Sequence, residues 1–155
     1  MGAQVDFYIL EEKTAQEVAL FTSKLTQKAF DQDLLTIILA EDSLLTCVSQ
    51  SLWASHSDRF LPHERIMPFD HPASLSCPPL IRLSTQLTSL LQPDHDAALL
   101  INFLHNENAP NLTQIASFAR IAEIVIATEK NKIAARHRYR RYQQAGFVLK
   151  THQIP

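Results

Sequence analysis

Only two glycines, Gly2 and Gly146, occur in the 155 residues. A Walker loop or a GxGxxG turn needs several glycines so that backbone amides can approach a phosphate, and neither can be built here. HExxH, GxSxG and paired zinc-ligand signatures are also absent from the sequence, which leaves no ordinary motif for an enzyme or for a resident cofactor. The expectation is a noncatalytic protein without a cofactor.

The second glycine closes the most distinctive stretch, residues 130–147, which reads Lys-Asn-Lys-Ile-Ala-Ala-Arg-His-Arg-Tyr-Arg-Arg-Tyr-Gln-Gln-Ala-Gly-Phe. Its residues are good helix formers, no proline interrupts it, and Gly146 stands where a left-handed cap is favoured. Helical spacing puts Lys132, Arg136, Tyr139, Arg140 and Gln143 on one face, with Ala134, Ala135, Tyr142 and Ala145 on the other. The first face is read as binding and the second as packing. The chain has a formal charge of −2, yet Lys130, Lys132, Arg136, Arg138, Arg140 and Arg141 crowd together with no carboxylate among them. Such clustering makes a local positive field. A solvated face is the ordinary account of a basic helix. Tyr139 beside Arg136 adds a ring to a guanidinium, a pair suited to a ligand that carries both an apolar group and an anion.

The remaining pattern alternates strand and helix. Residues 4–10 are aromatic and β-branched, as a buried strand requires, and Thr14 with Glu17 has the capping-box spacing. The helix that follows carries an apolar stripe of Val18, Phe21, Leu25 and Ala29. Residues 34–40 are almost continuously apolar, fitting a strand covered on both faces, and a second helix opens at Glu41 and runs to Trp53. Short strands are expected at 80–84 and 97–104, a short helix through Gln114, Ala116 and Phe118, and a strand at 121–127 that feeds the basic helix. After Gly146, residues 147–149 form an edge strand or pack over the helix. This order predicts a three-layer α/β/α sandwich with a mostly parallel sheet, Rossmann-like without a nucleotide-binding loop, in one domain over residues 1–155.

Residues 55–79 are punctuated by prolines and read as a long loop, a type of segment that often carries function. His56, His63 and His71 fall within it at spacings that match no common metal site. Cys47 and Cys77 make no CxxC pair and read as reduced thiols. No apolar run is long enough to span a bilayer, and the N-terminus lacks a signal-like segment, so a soluble cytoplasmic protein is expected.

Three blocks carry a family resemblance. Residues 135–147 resemble the C-terminal helix of the chi subunit of bacterial DNA polymerase III. Leu52-Trp53-Ala54, followed after four residues by Arg59-Phe60-Leu61-Pro62-His63, is similar to that family's Leu-Trp-Ala and Phe-Val-Pro-His block. The opening Phe7-Tyr8-Ile9-Leu10 fits as well. Residues 64–79 follow no family pattern, and Ala134 stands where a larger aliphatic is usual.

The resemblance implies a clamp-loader accessory protein that joins the replicase to single-stranded-DNA-binding protein, whose acidic tail ends in phenylalanine. Carried over position by position, Lys132, Arg136 and Arg140 would face the tail's carboxylates. Tyr139, Val125 and Thr151 would shape the phenylalanine pocket, and Gly146 would allow close approach. Trp53, Phe60 and Pro62 would meet the psi subunit, and a repair helicase could use the same surface. DNA would be contacted only indirectly, and no membrane partner is implied. The alternative is a direct single-stranded nucleic-acid-binding domain with Tyr139 or Tyr142 stacking on bases, against which the acidic balance of the chain counts.

Overall fold

A computed structural model describes residues 4–11, 13–54, 61–66, 80–87, 98–105 and 109–154. Among them run β1 (Gln4–Leu10), α1 (Ala15–Phe30), β2 (Leu35–Leu39), α2 (Asp42–Ala54), β3 (His63–Arg65), β4 (Ile81–Ser84), β5 (Ala98–Asn102), α3 (Leu112–Ile115), β6 (Arg120–Ile126), α4 (Glu129–Ala145) and β7 (Val148–Ile154). The strands form one sheet in the order β3-β4-β2-β5-β6-β1-β7, and every pairing is parallel. The expected α/β architecture is therefore observed, with a wholly parallel sheet.

Strand alternation sorts the core into two layers. Val5, Phe7, Ile37, Leu39, Leu100 and Val125 pack with Ile115, Ala135 and Tyr142 on one face. Leu10, Ile38, Ile81, Ile101 and Ile124 pack with Val18, Leu45, Val48 and Leu52 on the other. Thus α1 and α2 cover one side of the sheet, and α3 and α4 the other.

The capping box of α1 forms as read: the Thr14 hydroxyl accepts from the Glu17 amide, and the Thr14 amide donates to the Glu17 carboxylate, both at 3.2 Å. These hydrogen bonds hold the Glu17 carboxyl below its ordinary range. The apolar stripe of α1 is displaced from the one expected. Val18 and Ala29 are buried, but so are Ala19, Thr22, Ser23 and Thr26, while Phe21 and Leu25 are only half-buried. Hydroxyls tolerate this burial because they find local partners. Thr22 donates to the Val18 carbonyl at 2.8 Å, Thr26 donates to the Thr22 carbonyl at 2.7 Å, and Ser23 donates to Ser51 of α2 at 2.9 Å. Phe21 instead meets Tyr8 edge-on at 5.4 Å.

The segment read as a long loop contains β3, which pairs with β4 at the edge of the sheet; residues 55–60 and 67–79 lie outside the described residues. At the opposite edge, β7 lies beside β1, the first of the two placements expected for the chain after Gly146. No helix among the described residues is long and apolar enough to cross a membrane.

Candidate functional site

The basic helix is built as its sequence indicates. Thr128 caps its start by accepting from the Asn131 amide at 3.2 Å, and Gly146 ends it at φ 89°. A Cβ at Gly146 would meet nothing within 4 Å, so glycine serves the left-handed backbone there rather than a close packing contact. The packing face is in part the one expected, since Ala135 and Tyr142 belong to it, but it also takes in Arg138. Ala135, Arg138 and Tyr142 are buried, whereas Ala145 is exposed.

Arg138 belongs to the basic cluster of the sequence, but it is only 8% exposed and pairs at 2.8 Å with Glu123 of β6, which is fully buried. The Tyr142 hydroxyl donates to Glu123 and also meets Arg138. Asn102 of β5 donates to the other Glu123 oxygen at 2.9 Å. A buried carboxylate must be paired and hydrogen-bonded to be tolerated. Burial and the Glu123 charge push the Tyr142 hydroxyl far above its ordinary range. For Arg138, burial opposes the charged form, but Glu123 and then Tyr142 outweigh it and raise its pKa. This network clamps α4 to the sheet. It also removes Tyr142 from the surface, so that ring cannot stack on a base. Glu123 stands alone among Ile121, Ala122, Ile124, Val125 and Ile126, and a lone acid in a covered strand is the signal that could have revealed a buried cation.

Beside the clamp, α4 and the β1–β7 margin enclose an open groove of about 320 Å³. Phe7 and Ile9 of β1, Val125 of β6 and Ala135 form its apolar lining; Tyr139 stands on one side, with Lys132 and Arg136, and Thr151 and Gln153 of β7 stand on the other. Tyr139 is positioned by Phe7, whose ring centroid lies 5.4 Å away. Five of the sequence-derived candidates, Val125, Lys132, Arg136, Tyr139 and Thr151, thus converge on one hollow. Arg140 is exposed one turn further along α4, and Gly146 sits at the helix end; neither is among the lining residues.

Sequence reasoning missed Glu11, Gln153, Phe7 and Ile9. Glu11 matters most, because its carboxylate is 3.7 Å from Lys132. No ion pair engages Arg136 or Arg140 among the described residues. The groove therefore presents an unpaired guanidinium beside an apolar hollow, a geometry suited to a ligand ending in a carboxylate and a hydrophobic ring.

A second surface lies at the far edge of the sheet. Trp53, at the end of α2, is 62% exposed, and its ring meets His63 of β3 at 5.8 Å. His63 is held in turn: its Nδ1 donates to the Leu61 carbonyl at 2.9 Å, and its Nε2 lies 2.8 Å from the Ser49 hydroxyl. Pro62 is half-buried next to it. Phe60, His56, His71 and Cys77 lie outside the described residues, and Cys47 is a free thiol in α2. Among the described residues no cluster of His, Cys, Asp and Glu could hold a metal ion.

A sequence model of the family described as DNA polymerase III chi subunit, HolC, matches residues 2–150. A relative from Pseudomonas aeruginosa, named DNA polymerase III subunit chi, is 24% identical over 153 residues, covering 98% of this chain and 97% of its own length.

Proposed function

Because the chain belongs to the DNA polymerase III chi subunit family, we propose that it is a noncatalytic, cytoplasmic accessory subunit of the clamp-loader complex that ties single-stranded-DNA-binding protein to the replicase during DNA replication. The acidic C-terminal tail of that protein enters the groove between α4 and β7. Its terminal phenylalanine fills the hollow over Val125 beside Tyr139, and its terminal carboxylate meets Arg136. Lys132 and Arg140 draw in the acidic residues upstream. One observation carries this reading: Arg136 stands without an acidic partner among the described residues on the rim of an apolar groove. A bidentate guanidinium–carboxylate pair gives the anchor, and the hollow gives discrimination that a bare basic patch lacks.

The Trp53 surface takes the psi subunit, with Trp53, Phe60 and Pro62 as its contact residues, or a repair helicase at the same place. An indole that is 62% exposed at the end of a helix suits a protein interface. The two proposed surfaces flank opposite ends of the strand order, at β7 and at β3, which favours simultaneous engagement of both partners by one chi-like domain.

Fluorescence anisotropy tests the tail assignment with three probes at moderate salt: an acidic peptide ending in phenylalanine, the same peptide ending in alanine, and a short single-stranded DNA. Binding of the first alone supports the groove. Equal binding of both peptides removes the hollow from the account, and preferential binding of the DNA favours direct nucleic-acid recognition instead.

A further inference from the structure

The outer border of the groove is the last strand of the sheet. The Ile154 carbonyl accepts from the Glu11 amide at 3.2 Å, so the Ile154 peptide groups face β1. Along a strand the N–H and C=O of each residue point to the same side, and that side alternates from residue to residue. Val148, Lys150, His152 and Ile154 therefore complete the ladder with β1, while Leu149, Thr151 and Gln153 direct their N–H and C=O groups outward. No described strand pairs with that side. Thr151 and Gln153 are the same two residues whose side chains line the groove. A ligand seated there lies next to an unused ladder of donors and acceptors.

We propose that this edge of β7 is a strand-addition site, on which the acidic segment preceding the terminal phenylalanine of the tail pairs as an eighth strand. The proposal rests on the tail assignment above and extends it from a pocket for one residue to a track for several. Charge favours an acidic occupant. The side chains of an added strand alternate between the two faces of the sheet. On the face shared with α4 they meet Arg136. On the opposite face, where His152 stacks on Tyr8 at 4.8 Å, they meet Lys150, which is exposed. An acidic peptide thus finds a cation on each side, and pairing through backbone groups tolerates variation in its sequence.

Peptide length and a single proline test the proposal on the intact chain. A tripeptide ending in phenylalanine and an acidic peptide of about nine residues with the same terminus, long enough to run along β7 at roughly 3.3 Å per residue, are titrated by calorimetry. Gln153→Pro removes an outward N–H without touching the β1 ladder, a position where an edge strand accepts proline; Gln153→Ala controls for loss of the side chain. The longer peptide is expected to bind wild type roughly tenfold more tightly than the tripeptide, the gain from one or two added hydrogen bonds. That advantage is expected to shrink in Gln153→Pro, to the part that the added acidic residues supply, and to persist in Gln153→Ala. Hydrogen exchange at the Thr151 and Gln153 amides is expected to slow only with the longer peptide. An undiminished advantage in Gln153→Pro, its equal loss in Gln153→Ala, or unchanged exchange overturns strand addition while leaving the pocket standing. Failure of both peptides to bind wild type overturns the tail assignment and strand addition with it.

Discussion

Glu11 reaches into the groove and lies 3.7 Å from Lys132, so the first cation of the helix face is already engaged by an acid from the far end of the chain. An incoming carboxylate meets Glu11 as a like charge and must compete with it for Lys132. Glu11→Gln is expected to tighten binding of an acidic, Phe-terminated peptide by about two- to fivefold, the scale of a partly exposed ion pair. Titrations at low and high salt check this, and the difference from wild type is expected to shrink as salt screens the carboxylate.

Arg136 and Lys132 are neighbours on one helix face but are not equivalent. Arg136→Ala is expected to weaken peptide binding by roughly 1.5–3 kcal/mol, the range for a charged hydrogen bond. Lys132→Ala is expected to cost less, about 0.5–1 kcal/mol, because that ammonium is shared with Glu11. Paired titrations rank the two. Circular dichroism is expected to show an unchanged fold, since the exposed Arg136 side chain supports no described ion pair.

Arg138 is expected to behave in the opposite way. Arg138→Ala strands the buried Glu123 carboxylate and is expected to destabilise the protein by about 3–5 kcal/mol. Replacing the set together, as Arg138→Met, Glu123→Leu and Tyr142→Phe, is expected to recover much of that loss, because neither a buried charge nor the Tyr142 hydroxyl is then left without a partner. Urea unfolding midpoints measure both variants.

Trp53 is exposed at the end of α2 but meets the His63 ring, so Trp53→Ala is expected to cost no more stability than an aromatic pair supplies, about 0.5–1.5 kcal/mol. The same variant is expected to lose psi binding by at least about tenfold, the usual effect of truncating an aromatic anchor. Thermal unfolding and calorimetric titration with psi separate the two effects. A stability loss with psi affinity intact would show the indole to be a packing residue.

Much of the fold was legible because its signals are local. The capping box at Thr14 and Glu17, the continuously apolar stretch that became β2 and the left-handed cap at Gly146 each depend on residues a few positions apart. The hydroxyl-rich packing face of α1 was less legible. Burial of Thr22, Ser23 and Thr26 depends on how closely α2 approaches, and Ser23 finds its partner in Ser51.

By itself, then, the sequence determined the alternation of strands and helices, the basic helix and its stop, because backbone preference and apolar period act over one or two turns. Only the tertiary structure decided which cations remain available. Glu123 draws Arg138 into the core, Glu11 engages Lys132 from the other end of the chain, and Arg136 is left at the rim of a hollow roofed by α4 and floored by β1, β6 and β7. The fate of a charge depends on what surrounds it in space, and its neighbours here come from strands far apart along the chain.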